Sequence, residues 1–398
     1  MALAACLAST STGCVGPKAI GLTRMRYNEA YRVTNDEQLL TNIVRLRYAD
    51  SPVFIDLPGI TSQLELAGGS SYGGLNQSVS SEFGYGGFAA RDTPTLSYHP
   101  REGREIARAL LNPLTAELFS VVNAGANTEQ LLLLTLNDIN DVPNAPRATT
   151  MTPRSPDDNS EFLRGVRLIT TLLERGGIEI AIGASEESDV SSDPIPLAQV
   201  RGRDLIDAAK DGYVYRTQGD SRVTLLKREK GLVMRVRPEF VETPEMQELC
   251  QVFRMTPGLT AYKIKSELTD DANRREPDPI NDTIFLNLRS VLQMMVFLSK
   301  GVCVPPEHVV SGVAPTTRGP DGQPFDWTHI TAGNFQVASQ KHRPKDAEVA
   351  VYYRDYWYYI RKNDVNSRAV LAVLEILAAL QESDTKSGGP LLTLPVGG

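Results

Sequence analysis

The chain has 398 residues, 41% hydrophobic and 22% charged, the composition of a folded globular protein with length for two or three domains. Its formal net charge of −7, with acids and bases interspersed, gives no general attraction to phosphate backbones and excludes nucleic acid as an expected partner. No stretch supplies the roughly 20 apolar residues of a spanning helix. FLNLRSVLQMMVFLSKGV carries Arg289 and AVLAVLEILAAL carries Glu375, so both are expected as core helices.

The chain opens MALAACLASTSTGCVGP. Leu3-Ala4-Ala5-Cys6 and Ser11-Thr12-Gly13-Cys14 each resemble a lipobox, where small side chains admit a signal peptidase and the following thiol takes a lipid. Cys14, before a Val-Gly-Pro tether, is the expected lipidation site, with Cys6 the alternative. No basic residue precedes Lys18, so the basic start of an export signal is expected upstream of Met1. Cleavage at Cys14 would leave only Cys250 and Cys303, which in an oxidising periplasm are either one disulfide or two separate thiols.

Residues 1–20 are expected as signal remnant and tether, and 21–140 as an N-terminal α+β domain. Thr34 to Glu37 reads as a capping box for a helix over 36–48, with Leu39, Leu40, Ile43, Val44 and Leu46 as its apolar stripe. Two short strands follow, PVFID and ITSQLEL. The segment AGGSSYGGLNQSVSSEFGYGGFAARD has no helical period and allows two readings. One is a surface loop; the other is a Gly-rich hairpin that meets a membrane or partner through Tyr72, Phe83, Tyr85 and Phe88. Helices are expected over 101–112, over 115–124 behind a Thr115 cap, and over 128–141, where four consecutive leucines imply burial on several faces. The Pro-rich run 141–160 reads as a linker.

Residues 161–382 are expected as a mixed α+β domain. A helix over 161–177 precedes the strand IEIAIG. A helix within 197–212 precedes three strand-like runs, YVYRT, RVTLLKR and GLVMRVR. Then come a helix over 243–254, the strand AYKIKSEL and a long helix from Asp282 to Lys300 closed by Gly301. The run EVAVYYRDYWYYIRK reads as two strands about a turn at Arg354-Asp355, before a helix capped by Asp364. Residues 383–398 read as a disordered tail. The class expected is therefore α+β, with a helical and short-strand N-terminal part carrying the Gly-rich hairpin or loop, and a mixed α+β C-terminal part.

Chemistry-bearing patterns are few. Gly69-Ser70-Ser71-Tyr72-Gly73 matches a nucleophile elbow in letters but lacks the strand–turn–helix context that would activate a serine. The four histidines, His99, His308, His329 and His342, have no metal-ligand spacing, and Cys-x-x-Cys is absent. No catalytic, metal or cofactor site is expected; Glu307 and His308 are the least poor candidates for an enzyme. The aromatic run is the better pointer to function. Tyr352, Tyr353, Tyr356, Trp357, Tyr358 and Tyr359 fall on both faces of a hairpin. They read as internal core, as a protein interface, or as a sugar-stacking platform.

Three pieces, NEAYRVTNDEQLLTNIVRLRYADSPVFIDLPGITSQ, PTLSYHPREGREIARALLNPLT and VAVYYRDYWYYIRKNDVNSRAVLAVLEILAALQ, resemble a widespread group of uncharacterised bacterial envelope lipoproteins. The matching positions are Glu37 to Leu40, Arg45 to Tyr48 and Tyr356 to Trp357, and about half the chain is covered. The resemblance implies export and lipid anchoring at the outer membrane, facing the periplasm, without implying an activity or catalytic residues. The expectation is a subunit of an envelope complex that works by association with envelope proteins or with itself. A multimeric outer-membrane pore, or a glycan-binding protein or enzyme, is the alternative.

Overall fold

The computed structural model describes residues 15–71, 85–100, 110–114, 127–152, 154–156, 158–189, 195–211, 213–218, 222–266, 281–331 and 333–383. The chain divides into two compact units: Met1–Pro52 with Arg108–Gly398, and Val53–Ala107. The class is α+β, as expected from the alternation of periods.

The first described element of the larger unit is helix α1, Val15–Arg47. Val15 to Ile20, expected as tether, form its first turns, where Pro17 is tolerated because the first helical N–H groups have no intrahelical acceptor. The capping box expected at Thr34 does not form. The helix runs straight through Thr34, whose hydroxyl instead bonds back to the carbonyls of Ala30 (2.9 Å) and Tyr31 (3.0 Å). The apolar stripe is as read: Leu39, Leu40, Ile43, Val44 and Leu46 are all buried.

Helix α2, Thr128–Thr135, is capped by Asn127, whose side chain accepts from the Gln130 N–H at 3.1 Å. It stops six residues short of the expected end. Strand β3 (Leu136–Ile139) takes over, turns through Asn140 and Asp141, both with positive φ (48° and 60°), and returns as β4 (Val142–Pro143). The helix ends because β3 pairs with β10, Thr283–Leu288. That strand in turn replaces the first half of the helix expected over 282–300; helix α6 is Val291–Ser299 alone, with Ser290 and Gln293 as a reciprocal cap. The expected linker 141–160 is built into this unit. Asn144 Nδ2 donates to the carbonyls of Leu133 and Leu136 (both 2.9 Å), and Asn159 Nδ2 to Asn144 Oδ1 (3.3 Å). The helices expected over 101–112 and 115–124 lie outside the described residues apart from 110–112.

Helix α3 (Ser160–Glu174) buries Phe162, Leu163, Val166 and Leu172. After it come β5 (Ile178–Asp189), β6 (Ile195–Pro196), α4 (Gly202–Lys210), β7 (Tyr213–Gln218) and β8 (Arg222–Val236). RVTLLKR and GLVMRVR are one strand, not two, because both β5 and β7 pair along it. Helix α5 (Pro244–Val252) and β9 (Ala261–Ser266) match expectation. Among the described residues the sheet runs β4-β3-β10-β9-β8-β5, with β6 and β7 also on β8, and only β9–β10 is parallel. Cys250 is buried and Cys303 exposed, and both are free thiols.

The C-terminal end carries the short helices α7 (Pro306–Val310) and α8 (Thr328–Thr331). A second sheet follows, β11 (Ala338–Gln340), β12 (Ala347–Tyr353) and β13 (Tyr356–Arg361), in the order β11-β13-β12. Arg354 and Asp355 both take positive φ (46° and 65°), as a two-residue hairpin turn requires. Asp364 caps α9 (Val365–Ser383), accepting from the Ser367 N–H (3.0 Å) and hydroxyl (2.6 Å). The tail from 384 onward lies outside the described residues.

The smaller unit contains β1 (Ile55–Ser71) and β2 (Tyr85–Pro100), which pair antiparallel from Ile55↔Pro100 to Ser71↔Tyr85. The loop reading of the Gly-rich segment is thereby corrected as far as Ser71 and back from Tyr85. The end of PVFID, from Ile55, and ITSQLEL form a single strand with one irregularity between Asp56 and Gly59. Strand residues alternate between faces, so the register sorts the positions into two lanes. One sets Ile60 opposite Leu96, Ser62 opposite Pro94, Leu64 opposite Asp92, Leu66 opposite Ala90 and Gly68 opposite Phe88. The other sets Thr61 opposite Thr95, Gln63 opposite Thr93 and Glu65 opposite Arg91. The first lane is mostly apolar, with Ser62 and Asp92 as exceptions; the second is polar as far as Glu65 and Arg91 and continues with Ala67 opposite Ala89.

Candidate functional site

The C-terminal end of α1 brings Tyr48 against the hairpin β12–β13. Ala49, at φ 58°, terminates the helix in the left-handed region. Tyr48 is buried, and its Oη lies 2.5 Å from Tyr358 Oη and 2.7 Å from His308 Nδ1. Its ring meets those of His308, Tyr353 and Tyr358 at 5.7, 5.7 and 6.3 Å. Tyr353 donates to Asp50, which also receives Arg354 Nη2 at 2.8 Å. Tyr356 donates to Glu307, whose carboxylate is 3.6 Å from Lys341 Nζ.

Hairpin alternation explains which tyrosines enter this cluster. Val351, Tyr356, Tyr358 and Ile360 are buried and Tyr353 half-buried, on the face toward α1; Tyr352 is exposed, and Trp357 and Tyr359 are half-exposed on the other. The core reading therefore holds for one face only. On the outer face Tyr352 and Trp357 have ring centroids 5.5 Å apart, the Arg343 guanidinium lies 5.3 Å over the Trp357 ring, and Tyr359 Oη donates to Gln340 Oε1 at 3.1 Å.

Burial pushes the Tyr48 and Tyr358 phenols above their ordinary range, so both stay protonated. Burial also works to raise the Asp50 carboxyl, but the hydrogen bonds from Tyr353 and Arg354 outweigh it and hold its pKa low. Glu307 is held low first by the Tyr356 hydroxyl and then by Lys341. Neutral phenols and ionised carboxylates, each already hydrogen-bonded within the chain, make a strut between α1 and the C-terminal sheet. Glu307 is hydrogen-bonded to Tyr356 and His308 to Tyr48. Among the described residues no group of three or more His, Cys, Asp or Glu could hold a metal ion.

Other expected site residues stand apart. Cys6, Cys14, Tyr72 and Phe83 lie outside the described residues. Tyr85 stands opposite Ser71 and Phe88 opposite Gly68 in the ribbon. The strand through Gly69, Ser70 and Ser71 is not the turn a catalytic serine needs. Two cations are buried in the core: Arg289, which the sequence marks only as a charge within an apolar run, and Lys300, which it does not mark. Arg289 is fully buried, and Lys300 is 6% exposed with its amine donating to Thr150 O at 2.8 Å. Burial, with Arg47 nearby, pushes Lys300 down to about 7.

A scan against protein-family models found no match, and searches of curated proteins and of solved structures returned none. No helix among the described residues is long and apolar enough to cross a membrane.

Proposed function

We propose that this protein is a lipid-anchored subunit of a bacterial envelope assembly, facing the periplasm and working by association with copies of itself or with other envelope proteins. The observation that carries the reading is the ribbon β1–β2. Its strands pair with no other strand among the described residues, so each has an outer edge on which no strand is paired. A lone two-stranded ribbon is marginal in water, and a long open edge is a template for another chain. At about 3.3 Å per residue, β1 extends over roughly 55 Å. Pairing edge to edge with a second ribbon covers such an edge. The lipobox-like Cys14, or Cys6, supplies the anchor in this reading.

Deleting residues 69–87 tests it. Sedimentation of the detergent-extracted protein should show a multimer for the full chain and a single chain for the deletion, with the circular dichroism of the larger unit kept. A multimer of unchanged size after the deletion would remove the ribbon from the account.

A second reading, a multimeric outer-membrane pore, is favoured by strand length and lane pattern. A crossing strand needs about 9–11 residues, and β1 and β2 have 17 and 16. Several ribbons closed into a barrel would set the Ile60–Leu66 lane toward lipid and the Glu65–Arg91 lane toward water. Asp92, in the apolar lane, marks the depth at which this arrangement is under most stress. Dye release from phospholipid vesicles by the full chain but not by the deletion is expected; a multimer that releases no dye would end the pore reading and leave the assembly reading standing.

A further inference from the structure

The outer face of the C-terminal sheet carries a second feature that the assembly reading does not use. Beside β13 lies an open groove of about 430 Å³, lined by Gln340, Lys345, Asp346, Tyr359, Arg361 and Lys362 among others. That volume falls within the range of small-ligand clefts. Three cations face one carboxylate there, on a chain whose net charge is −7. Lys345, Arg361 and Lys362 are exposed and form no ion pair among the described residues, in contrast to Arg354 and Lys341 on the same sheet. With Asp346 as the one carboxylate in the lining, the groove keeps a net positive charge among the described residues.

Aromatic rings adjoin it. Tyr359 lines the groove itself, and the same sheet face continues through Trp357 to Tyr352, with β11 aligned so that Gln340 stands opposite Trp357. Arg343 sits over the indole ring of Trp357 as a cation on a π face. Flat rings offer a stacking surface for the C–H faces of a sugar, and free cations offer charge-assisted hydrogen bonds to carboxylates. Neither feature alone names a ligand. Together they select a sugar chain that carries negative charge, and disfavour both neutral glycans and polyanions without rings.

From this juxtaposition we propose that the groove beside β13 binds an acidic polysaccharide, its carboxylates meeting Lys345, Arg361 and Lys362 and its sugar rings lying on Tyr359 and Trp357. In the bound state Arg343 turns from the indole toward a ligand carboxylate, which alters the surroundings of Trp357. The chain has two tryptophans, and the other, Trp327, is buried away from the groove lining, so a ligand-induced change in emission reports chiefly on Trp357. The site stands whether or not the ribbon assembles.

The test is fluorescence titration of the full-length protein with polygalacturonate, with dextran as the neutral sugar polymer and polyglutamate as the ring-free polyanion. Expected is a saturable change in Trp357 emission with polygalacturonate alone, weakened as salt rises from about 50 to about 200 mM. The Lys345→Gln/Lys362→Gln double variant changes two exposed residues and should keep its fold by circular dichroism. Losing two charge-assisted contacts should weaken half-saturation about tenfold or more. Trp357→Leu should lose the optical signal and weaken binding followed by co-sedimentation with the polymer. No binding of polygalacturonate at low salt, equal binding of polyglutamate, or binding unchanged in the double variant would each overturn the assignment. Sedimentation of the same samples reads the assembly separately.

Discussion

Replacing Arg289 by methionine probes the largest polar element of the core. The guanidinium donates to the carbonyls of Leu133 (2.8 Å), Leu134 (3.2 Å) and Asn144 (2.6 Å) and to Asn137 Oδ1 (3.1 Å). It thereby satisfies the last carbonyls of α2 and joins them to β10 and the 140–144 turn. Hydrogen bonds to a charged group are worth roughly 1.5–3 kcal/mol each, and a buried acceptor left bare costs about 1–3 kcal/mol. Against this stands the cost of burying the charge. Burial pushes Arg289 down to about 9, which at ~1.4 kcal/mol per unit is roughly 5 kcal/mol that methionine would relieve. Two further facts moderate the loss. Leu133 O keeps a second donor in Asn144 Nδ2, and the methionine stem still fills the space beside Phe297, over which the guanidinium now lies at 4.1 Å. The net loss should be about 3–5 kcal/mol, the scale seen when one partner of a buried polar set is removed. Urea unfolding followed by circular dichroism, extrapolated to water, measures it. Arg289→Lys should also lose about 2 kcal/mol or more, because one ammonium cannot span the four acceptors. A methionine variant within about 1 kcal/mol of the parent would refute the claim that this side chain ties α2 to the sheet.

Further outcomes follow from the same geometry. Tyr48→Phe strips the buried Tyr358 hydroxyl and His308 of a partner and should cost about 1–2 kcal/mol; a calorimetric Tm equal to that of the parent would contradict the strut. Lys300 sets a pH dependence. Its amine keeps the proton to 10.5 in the unfolded chain but only to about 7 in the native one. Between those values the unfolded state binds more protons, so stability rises with pH across this window. The Thr150 hydrogen bond and the Trp327 ring, 5.7 Å from Nζ, favour the charged form, so the rise should be about 2–4 kcal/mol between pH 7 and 10. Lys300→Met should flatten that slope; an identical slope in both proteins would show that another group titrates.

Much of the architecture was legible because local and tertiary preferences agree. In α3 the burial of Phe162, Val166 and Leu172 follows the helical period, and Arg354-Asp355 and Asp364 place the turn and cap of the C-terminal unit. The misreadings have one cause: continuous apolar runs hide a change of period. Ile284, Leu286 and Leu288 are buried in strand alternation, but the apolar helix beginning at Val291 follows so closely that the two read as one element. LLLLTLNDI conceals the switch at Leu136 in the same way, since strand and helix are both buried there. The run 141–160 has the composition of a linker, yet Asn144 and Asn159 spend their amides on buried carbonyls that only the fold brings within reach. The candidate site was half legible. The aromatic hairpin announced itself, but the Tyr48–Tyr358 contact spans 310 residues, and no local pattern encodes it. In the ribbon, glycine and serine masked strands whose two lanes emerge once the register is known.

Association of lipid-anchored chains is the claim on which the functional account rests, and native mass spectrometry of the full-length protein extracted in detergent from a bacterial envelope tests it most directly. The account expects a complex heavier than one chain, either an integral multiple of the chain mass or one that also contains another envelope protein, each copy carrying the added mass of acyl chains on an N-terminal cysteine. A single unacylated polypeptide under conditions that preserve known envelope complexes would contradict it.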